Sequence, residues 1–313
     1  MTLLYNESCF LQHETGDHPE SAERIRRIPA RLAVSGLDCR CQRPTWEPVA
    51  RRRLTAVHAT RYVDEVWSLA KSGGGEIGRE TIVSPCSYDV ALLAAGCACD
   101  ATERLIRGED RRALCVVRPP GHHALTNHAM GFCLFNNVAI AAHMAVYEFR
   151  LDRVLIVDWD IHHGNGTQAT FWNDPRVGFL SIHRWPFFPG TGAADETGGG
   201  PGLGTTLNLP ISVGITRREY LDRFGDALDA FAAKIKPQLV LISAGFDAHR
   251  GDPIGQFILE TEDFIPLTNR VLDVADTWAE GRTVSLLEGG YDPQLNADCV
   301  AAHLGEMVRR DET

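Results

Sequence analysis

Residues 154–166 read VLIVDWDIHHGNG, an apolar run that passes directly into two aspartates and two histidines. The four continuous apolar residues indicate a strand that is buried on both faces, as in a parallel sheet. In the extended segment that follows, Asp158, Asp160 and His162 occupy alternate positions and therefore share one face. Two carboxylates at the end of a buried strand are costly unless a cation neutralises them. The stretch therefore predicts a buried strand that ends in a metal site.

Further apolar runs and helical periods alternate along the chain. The other predicted strands are Leu114 to Val117, Val177 to Ile182, Leu239 to Ile242 and Val284 to Leu287. The predicted helices are Tyr88 to Ile106, Asn137 to Phe149, Leu221 to Ile235 and Phe264 to Trp278. Thr216 and Glu219 form a capping box before the third of these helices. This alternation predicts one α/β domain over residues 1–313, with a central, mostly parallel sheet and helices on both faces.

Composition limits the classes of partner. Among the 313 residues, 41 are acidic and 31 are basic, which gives a net charge of −10. This balance argues against direct nucleic-acid binding and against an anionic membrane surface. The sequence has no apolar run of about 18 residues and no signal peptide at its start. The nine cysteines are scattered and odd in number, as expected for reduced thiols in a cytoplasmic protein.

Polar side chains follow each of the five apolar runs. They are His122 and His123, then Asp158, Asp160 and His162, then His183, then Asp247, and finally Glu288 and Tyr291. Because ligands bind outside the carboxyl ends of parallel strands, we expect these groups to meet at one edge of the sheet. Asp160, His162 and Asp247 would supply three ligands and leave one position open, which is the construction of a catalytic zinc site.

Three further side chains at this edge suit acid–base chemistry. His122 and His123 follow a rigid Pro-Pro-Gly turn, and imidazoles near a metal can accept and return a proton near neutral pH. Tyr291 follows two glycines, and its phenol can donate a hydrogen bond to a developing oxyanion.

These motifs together resemble the histone deacetylases, and most closely the class II enzymes and the bacterial deacetylase-like amidohydrolases. The motifs are RPPGHH at 118–123, GFCLFNN at 131–137, VDWDIHHGNGTQ at 157–168, FFPGTG at 187–192 and SAGFDAHRGDP at 243–253. The resemblance runs from His18 to Asp292 and implies the arginase–deacetylase α/β fold.

The resemblance also implies a role for each site residue. It implies one Zn²⁺ on Asp160, His162 and Asp247, an acid–base pair in His122 and His123, and a carbonyl-polarising Tyr291. Asp158 matches the acid that orients His122. Gly131, Phe132, Phe188 and Gly289 match the walls of a narrow tunnel for the acyl-lysine stem. A structural K⁺ is expected around Asp158, Asp160, His162 and Ser181.

Two positions depart from related patterns. Asn165 stands where class I relatives carry an acid, so His123 lacks a charged partner and we expect its pKa to be raised less than that of His122. Ile254 stands where acetylpolyamine-preferring relatives carry a glutamate, and an apolar side chain offers no partner for a polyamine ammonium. Ile254 therefore favours acyl-lysine as substrate.

The predicted function is zinc-dependent removal of acetyl groups from lysine side chains in proteins or peptides, with acetate and a free amine as products. Three alternatives stay open: a deacetylase of acetylpolyamines or other small amides, an arginase-like ureohydrolase with two Mn²⁺ ions, and a non-catalytic zinc or acyl-lysine binding module. Asn165 disfavours the ureohydrolase, because it occupies a place where a bridging acid is expected. The sequence leaves open the acyl length, the order of the two histidines and whether the chain forms a homo-oligomer.

Overall fold

A seven-stranded parallel sheet forms the centre of the computed structural model, which describes residues 1–312. The strands in chain order are β1 (Leu3–Tyr5), β2 (Gly75–Glu76), β3 (Ile82–Val83), β4 (Arg112–Cys115), β5 (Val154–Asp158), β6 (Val177–Arg184), β7 (Thr206–Ile211), β8 (Leu239–Ala244) and β9 (Thr283–Leu287). The spatial order of the main sheet is β1-β4-β9-β8-β5-β6-β7, and β2 and β3 form a separate antiparallel pair. All residues of β4, β5, β8 and β9 are buried, as their continuous apolar character predicts.

Helices cover both faces of this sheet. They are α1 (Glu23–Arg26), α2 (Ile28–Ser35), α3 (Arg51–Val57), α4 (Thr60–Lys71), α5 (Ser87–Ile106), α6 (Asn137–Tyr147), α7 (Asn165–Phe171), α8 (Arg217–Ile235), α9 (Phe264–Trp278) and α10 (Pro293–Asp311). Helices α5 and α6 pack on each other and on β4, β9, β5 and β8, whereas α8, α9 and α10 form a second packed row. The predicted single α/β domain is confirmed; its last residue, 313, lies outside the described residues.

Several element boundaries differ from the predicted ones. The strand predicted at 114–117 occupies Arg112–Cys115, because its register is set by parallel pairing with β9 rather than by apolarity alone. Helix α6 ends at Tyr147 rather than at Phe149. The sheet also contains β1 and β7, which sequence reasoning did not predict. Both are edge strands, and β7 mixes apolar residues with a proline and an asparagine.

The sheet register brings the functional side chains together at the carboxyl-terminal ends of the strands. Asp158, the last residue of β5, lies opposite Ser181 of β6 and Ser243 of β8. The segments that follow β5, β8 and β9 therefore start at the same level and carry the metal-ligating and catalytic candidates. In the described chain, 1–312, we find no helix that is both long and apolar enough to cross a bilayer.

Helix α5 packs against the segment before α3 through a glycine, and this contact yields a stability prediction. A Cβ atom on Gly96 would lie 2.2 Å from the backbone oxygen of Glu47 and 2.8 Å from the nitrogen of Val49. We expect Gly96→Ala to lower the free energy of unfolding by about 1–3 kcal/mol, because overpacking against backbone outweighs the better helix propensity of alanine. Urea unfolding followed by circular dichroism measures the change.

Gly305 of α10 provides the matched control. Its Cβ would meet only Leu37 Cδ1, at 3.9 Å. Gly305→Ala is therefore expected to raise the free energy of unfolding by up to about 1 kcal/mol. Equal effects of the two substitutions would contradict the packing argument.

Candidate active site

Three buried side chains meet beyond the ends of β5 and β8. The ligating atoms of Asp160, His162 and Asp247 all lie within 4.8 Å of one another. His162 Nδ1 lies 3.0 Å from Asp160 Oδ1 and 2.9 Å from Asp247 Oδ2. The structure thus brings together the three residues that the sequence predicts as metal ligands.

Backbone amides orient the two ligand carboxylates. Asp160 Oδ1 accepts a hydrogen bond from His162 N at 2.9 Å, and Asp160 Oδ2 accepts one from Gly289 N at 2.8 Å. Asp247 Oδ1 accepts from Ile161 N at 2.9 Å. Asp247 Oδ2 is buried and accepts no hydrogen bond within the described chain. Its lone pairs are therefore free to coordinate a cation.

The charge balance of this cluster also suits a cation. Burial and the neighbouring Asp160 carboxylate raise the pKa of Asp247 to about 7. Burial lowers the pKa of His162, but Asp247 and Asp160 outweigh it and raise that pKa to about 9. Two carboxylates compete for one imidazole, and a divalent cation would stabilise both in their charged form. The donor set of two oxygens and one nitrogen fits zinc.

The two tandem histidines stand beside the ligand cluster. Their ring centroids are 4.0 Å apart, and both rings are buried. His122 Nδ1 lies 2.9 Å from Asp158 Oδ2, and His122 Nε2 lies 3.9 Å from Asp160 Oδ1. His123 Nδ1 lies 2.7 Å from Asn165 Oδ1. Because an amide oxygen only accepts, this contact places the hydrogen of a neutral His123 on Nδ1 and leaves Nε2 as a proton acceptor.

The pKa values of the two histidines shift in opposite directions. Burial lowers the pKa of His122, but Asp158 and Asp160 outweigh it and raise that pKa to about 10. Burial, together with His122 and His162, lowers the pKa of His123 well below its ordinary value. The pKa of His123 thus lies below that of His122, in the order expected from Asn165, but it is lowered rather than raised to a smaller extent.

Tyr291 approaches the site from the segment after β9. Burial raises the pKa of its phenol well above the ordinary value, although Arg24 opposes part of the rise, so the hydroxyl keeps its hydrogen at neutral pH. The guanidinium of Arg24 lies 4.9 Å from the centroid of the Tyr291 ring, and Arg24 Nε donates to Gly290 O at 2.6 Å. Buried Glu20 pairs with Arg24 at 2.9 Å and with Arg118 at 2.5 Å, so the N-terminal segment supports this side of the site.

A cavity of about 590 Å³ opens above the cluster. Its lining includes the predicted residues Gly131, Phe132, Phe188, Ile254 and Tyr291, together with His123 and His162. The ring centroids of Phe188 and His123 are 5.2 Å apart, and those of Phe132 and Tyr291 are 5.7 Å apart. Aromatic and glycine surfaces of this kind suit an apolar chain with a polar group at its end.

Gly289, which the resemblance assigned to a wall of the tunnel, has another position. It lies behind the ligands: a Cβ on Gly289 would be 2.3 Å from Asp247 Oδ2 and 2.5 Å from Asp160 Oδ2. Gly131 has a φ of +54°, and a Cβ there would be 2.3 Å from His123 Cδ2. Both glycines therefore permit close packing, Gly289 on the ligand carboxylates and Gly131 on the catalytic candidate His123.

Two further side chains contribute to the site: Phe187 was not predicted, and Glu288 was expected at this edge without an assigned role. The ring of Phe187 stacks on His162 with centroids 5.1 Å apart, and Phe187 lines the cavity beside Phe188. Glu288 is buried, and its Oε2 accepts hydrogen bonds from the backbone nitrogens of Gly121 and His122 at 2.7 and 3.1 Å. The FFPGTG motif and the position of Glu288 after an apolar run were the available signals for both.

Ser181, predicted near a K⁺ site, pairs with Asp158 across β6 and β5 and is buried. Its hydroxyl lies 2.9 Å from His183 Nδ1. Ser181 and Asp158 are thus neighbours, and the K⁺ itself stays a prediction.

Comparisons with known proteins agree with this geometry. A model of the histone deacetylase domain matches residues 18–307. The chain is 36% identical to a histone deacetylase-like amidohydrolase of Pseudomonas aeruginosa over 291 residues, which cover 93% of this chain and 77% of that protein. It is 40% identical to an uncharacterized protein of Synechocystis sp. over 300 residues, with 93% and 94% coverage. The crystal structure of the HDA15 HD domain superposes with a TM-score of 0.93 at 35% identity, covering 98% of this chain and 88% of that one.

Substitution of one predicted ligand tests the metal cluster directly. Asp247→Asn keeps a carbonyl oxygen for Ile161 N but replaces one carboxylate oxygen with an amide nitrogen. With three ligands in the site, we expect this change to weaken Zn²⁺ affinity by more than about 100-fold. Isothermal titration with Zn²⁺ and elemental analysis of the purified protein measure the loss.

Asp263→Asn is the control, because Asp263 is a buried carboxylate that accepts from Glu260 N at 2.8 Å outside the cluster. It should bind Zn²⁺ like the unsubstituted protein. Full metal content in Asp247→Asn would show that Asp247 is not a ligand.

Proposed function

The chain belongs to the histone deacetylase family, and from that premise we propose that it is a zinc-dependent amidohydrolase that removes acetyl groups from the side-chain amine of lysine. The family implies acylated substrates; the choice of lysine in proteins or peptides is our proposal. One observation carries it: an apolar cavity ends at a buried cluster of two aspartates and one histidine, with two further histidines and a tyrosine beside it.

Asp160, His162 and Asp247 are the residues that would hold the zinc ion. When bound, zinc supplies Lewis acidity toward the acyl carbonyl oxygen and the attacking water. The cavity supports this arrangement, because its aromatic lining can take the aliphatic stem of lysine while the amide reaches the cluster.

The two histidines and Tyr291 have separate roles in the proposed reaction. We assign proton acceptance from the attacking water to His123, whose lowered pKa and Asn165 contact leave Nε2 unprotonated. His122, charged beside Asp158, stabilises negative charge in the transition state and gives a proton to the departing amine. Tyr291 donates a hydrogen bond to the oxygen that develops negative charge. Acetate and a free lysine amine result.

Three further proposals concern a second cation, the location of the protein and its domain organisation. A structural K⁺ near Asp158, Asp160, His162 and Ser181 would neutralise part of the buried charge at the end of β5. A cytoplasmic location is supported by the nine cysteines, all of which are free thiols in the structure. Residues 1–313 are proposed to act as one catalytic domain.

Turnover of a substrate panel tests the function and its specificity together. The zinc-loaded protein should hydrolyse acetyl-lysine peptides faster than acetylated polyamines, because half-buried Ile254 on the cavity wall offers no charge to a second ammonium. Ile254→Glu should shift the ratio of kcat/KM toward acetylpolyamine by about fivefold, the equivalent of roughly 1 kcal/mol for a partly exposed ion pair.

Ile254→Gln controls for length and polarity without charge and should leave that ratio nearly unchanged. A wild-type protein that strongly prefers N8-acetylspermidine would replace the lysine proposal with the polyamine alternative. A protein that binds zinc but turns over none of the panel would favour a binding module.

Removal of the Tyr291 hydroxyl separates catalysis from zinc binding. Tyr291→Phe should lower kcat by about 100- to 1000-fold with little change in KM, because the phenol acts on charge that develops in the transition state. Zinc content and thermal stability should barely change, since the ring remains. Steady-state kinetics with an acetyl-lysine peptide measures the effect.

Tyr220→Phe is a matched control, because Tyr220 is fully buried in α8 and its hydroxyl makes no hydrogen bond within residues 1–312. It should leave kcat unchanged. If Tyr291→Phe retains activity within about threefold of wild type, far short of the range for an oxyanion donor, the phenol does not polarise the carbonyl.

A further inference from the structure

Asp252 is a buried carboxylate on the loop after β8, between the ligand Asp247 and the cavity residue Ile254. Only 3% of its surface is exposed. Asp252 Oδ1 accepts hydrogen bonds from Ile254 N and Gly255 N, both at 2.9 Å. Asp252 Oδ2 accepts one from Tyr291 N at 2.6 Å. A single side chain therefore joins the two segments that carry Ile254 and Tyr291.

The Asp252 end of this link is fixed on the metal ligand. Gly255 lies so close to Asp247 that a Cβ there would be 1.9 Å from the backbone oxygen of Asp247. The loop from Asp252 to Gly255 therefore has little freedom to move relative to the metal cluster. Whatever Asp252 holds keeps a defined position with respect to that cluster.

The Tyr291 end has a backbone that needs such a restraint. Tyr291 follows two glycines, and Gly290 has a φ of +124°, which side-chain-bearing residues rarely adopt. A pair of glycines lets the backbone of a segment adopt many conformations, and folding must restrict it to one. Contacts from other segments are therefore needed to select that conformation. The hydrogen bond to Asp252 restrains the amide of Tyr291, and Arg24 restrains the preceding carbonyl of Gly290.

We propose that Asp252 is a positioning residue that fixes the Tyr291 phenol relative to the metal cluster and couples it to the cavity segment that carries Ile254. The proposal rests on the proposed function, since it assigns Tyr291 a transition-state role. Asp252 does not line the cavity in the described chain, so it acts through Tyr291 rather than on the substrate.

The carboxylate is chemically required for this link. Its two oxygens accept from three backbone N–H groups, and hydrogen bonds to a charged acceptor are about twice as strong as neutral ones. An asparagine has the same shape but only one acceptor oxygen, so its amide group must face one of these donors with hydrogens of its own. Asp252→Asn therefore breaks either the Tyr291 contact or the contacts with Ile254 and Gly255.

The first measurement is steady-state kinetics on the zinc-loaded, full-length protein with an acetyl-lysine peptide. Asp252→Asn should lower kcat by about 10- to 100-fold, the cost of displacing a catalytic group by a fraction of an ångström to 1 Å. KM should stay within about twofold. Asp252→Glu, which keeps the charge but displaces it, should also lower kcat and replaces Asp252→Asn if the latter fails to fold.

The second measurement is a double-mutant cycle that combines Asp252→Asn with Tyr291→Phe. It separates a positioning role from a purely structural role of Asp252. If Asp252 acts through the phenol, adding Asp252→Asn to Tyr291→Phe should lower kcat further by less than about twofold, because the positioned group is already absent. A loss as large as in the wild-type background would overturn the proposal. Asp263→Asn, the buried carboxylate used above, should leave kcat unchanged in both backgrounds.

A third measurement does not depend on activity. Amide hydrogen exchange of the peptide that contains Tyr291 should accelerate in Asp252→Ala, which removes both acceptor oxygens, whereas peptides from β5 should exchange as in the wild type. Unchanged exchange at Tyr291 would show that Asp252 does not hold this segment. If the wild-type protein lacks deacetylase activity, the proposed function fails, and the exchange result still decides whether Asp252 restrains Tyr291.

Discussion

The site depends on the hydrogen bonds that stabilise four buried carboxyl groups. Asp158, Asp160, Asp247 and Glu288 follow or end three adjacent strands, and each is at most 1% exposed. Burial of an unpaired ion costs several kcal/mol, so a fold that collects four carboxylates must supply donors for them. Every one of their oxygens accepts a hydrogen bond except Asp247 Oδ2. The unsatisfied oxygen faces His162, where a cation would bind.

The same carboxyl groups account for the glycines around the site. Several glycines approach these carboxylates so closely that a Cβ atom would collide with them. A Cβ on Gly245 would lie 2.1 Å from Asp160 Oδ2, and one on Gly164 would lie 2.1 Å from Asp158 Oδ2. Gly289 both packs on Asp160 and donates its amide hydrogen to it. The glycine-rich segments after β5, β8 and β9 thus serve the electrostatics of the site as well as its turns.

Much of this could be predicted from the sequence, because its signals are local. Alternate spacing identified Asp158, Asp160 and His162 as one face, and continuous apolarity identified β5, β8 and β9. What the sequence did not reveal depends on contacts between distant segments. Three features have no periodic signal of their own: the stack of Phe187 on His162, the hydrogen bonds from Gly121 N and His122 N to Glu288, and the edge strand β7. The position of Gly289 behind the ligands likewise emerges only from packing in three dimensions.

The tandem histidines show how such packing determines chemistry. His122 and His123 are the same residue type, adjacent in sequence and in space, yet their pKa values shift in opposite directions. Their hydrogen-bond partners differ: a carboxylate faces His122, whereas a neutral amide faces His123. Asp160 also raises the pKa of His122, whereas burial, His122 and His162 lower that of His123. Once His122 is charged, its proximity further disfavours a second charge on His123. Opposite pKa shifts on two adjacent imidazoles are what a paired proton donor and proton acceptor require at a single pH.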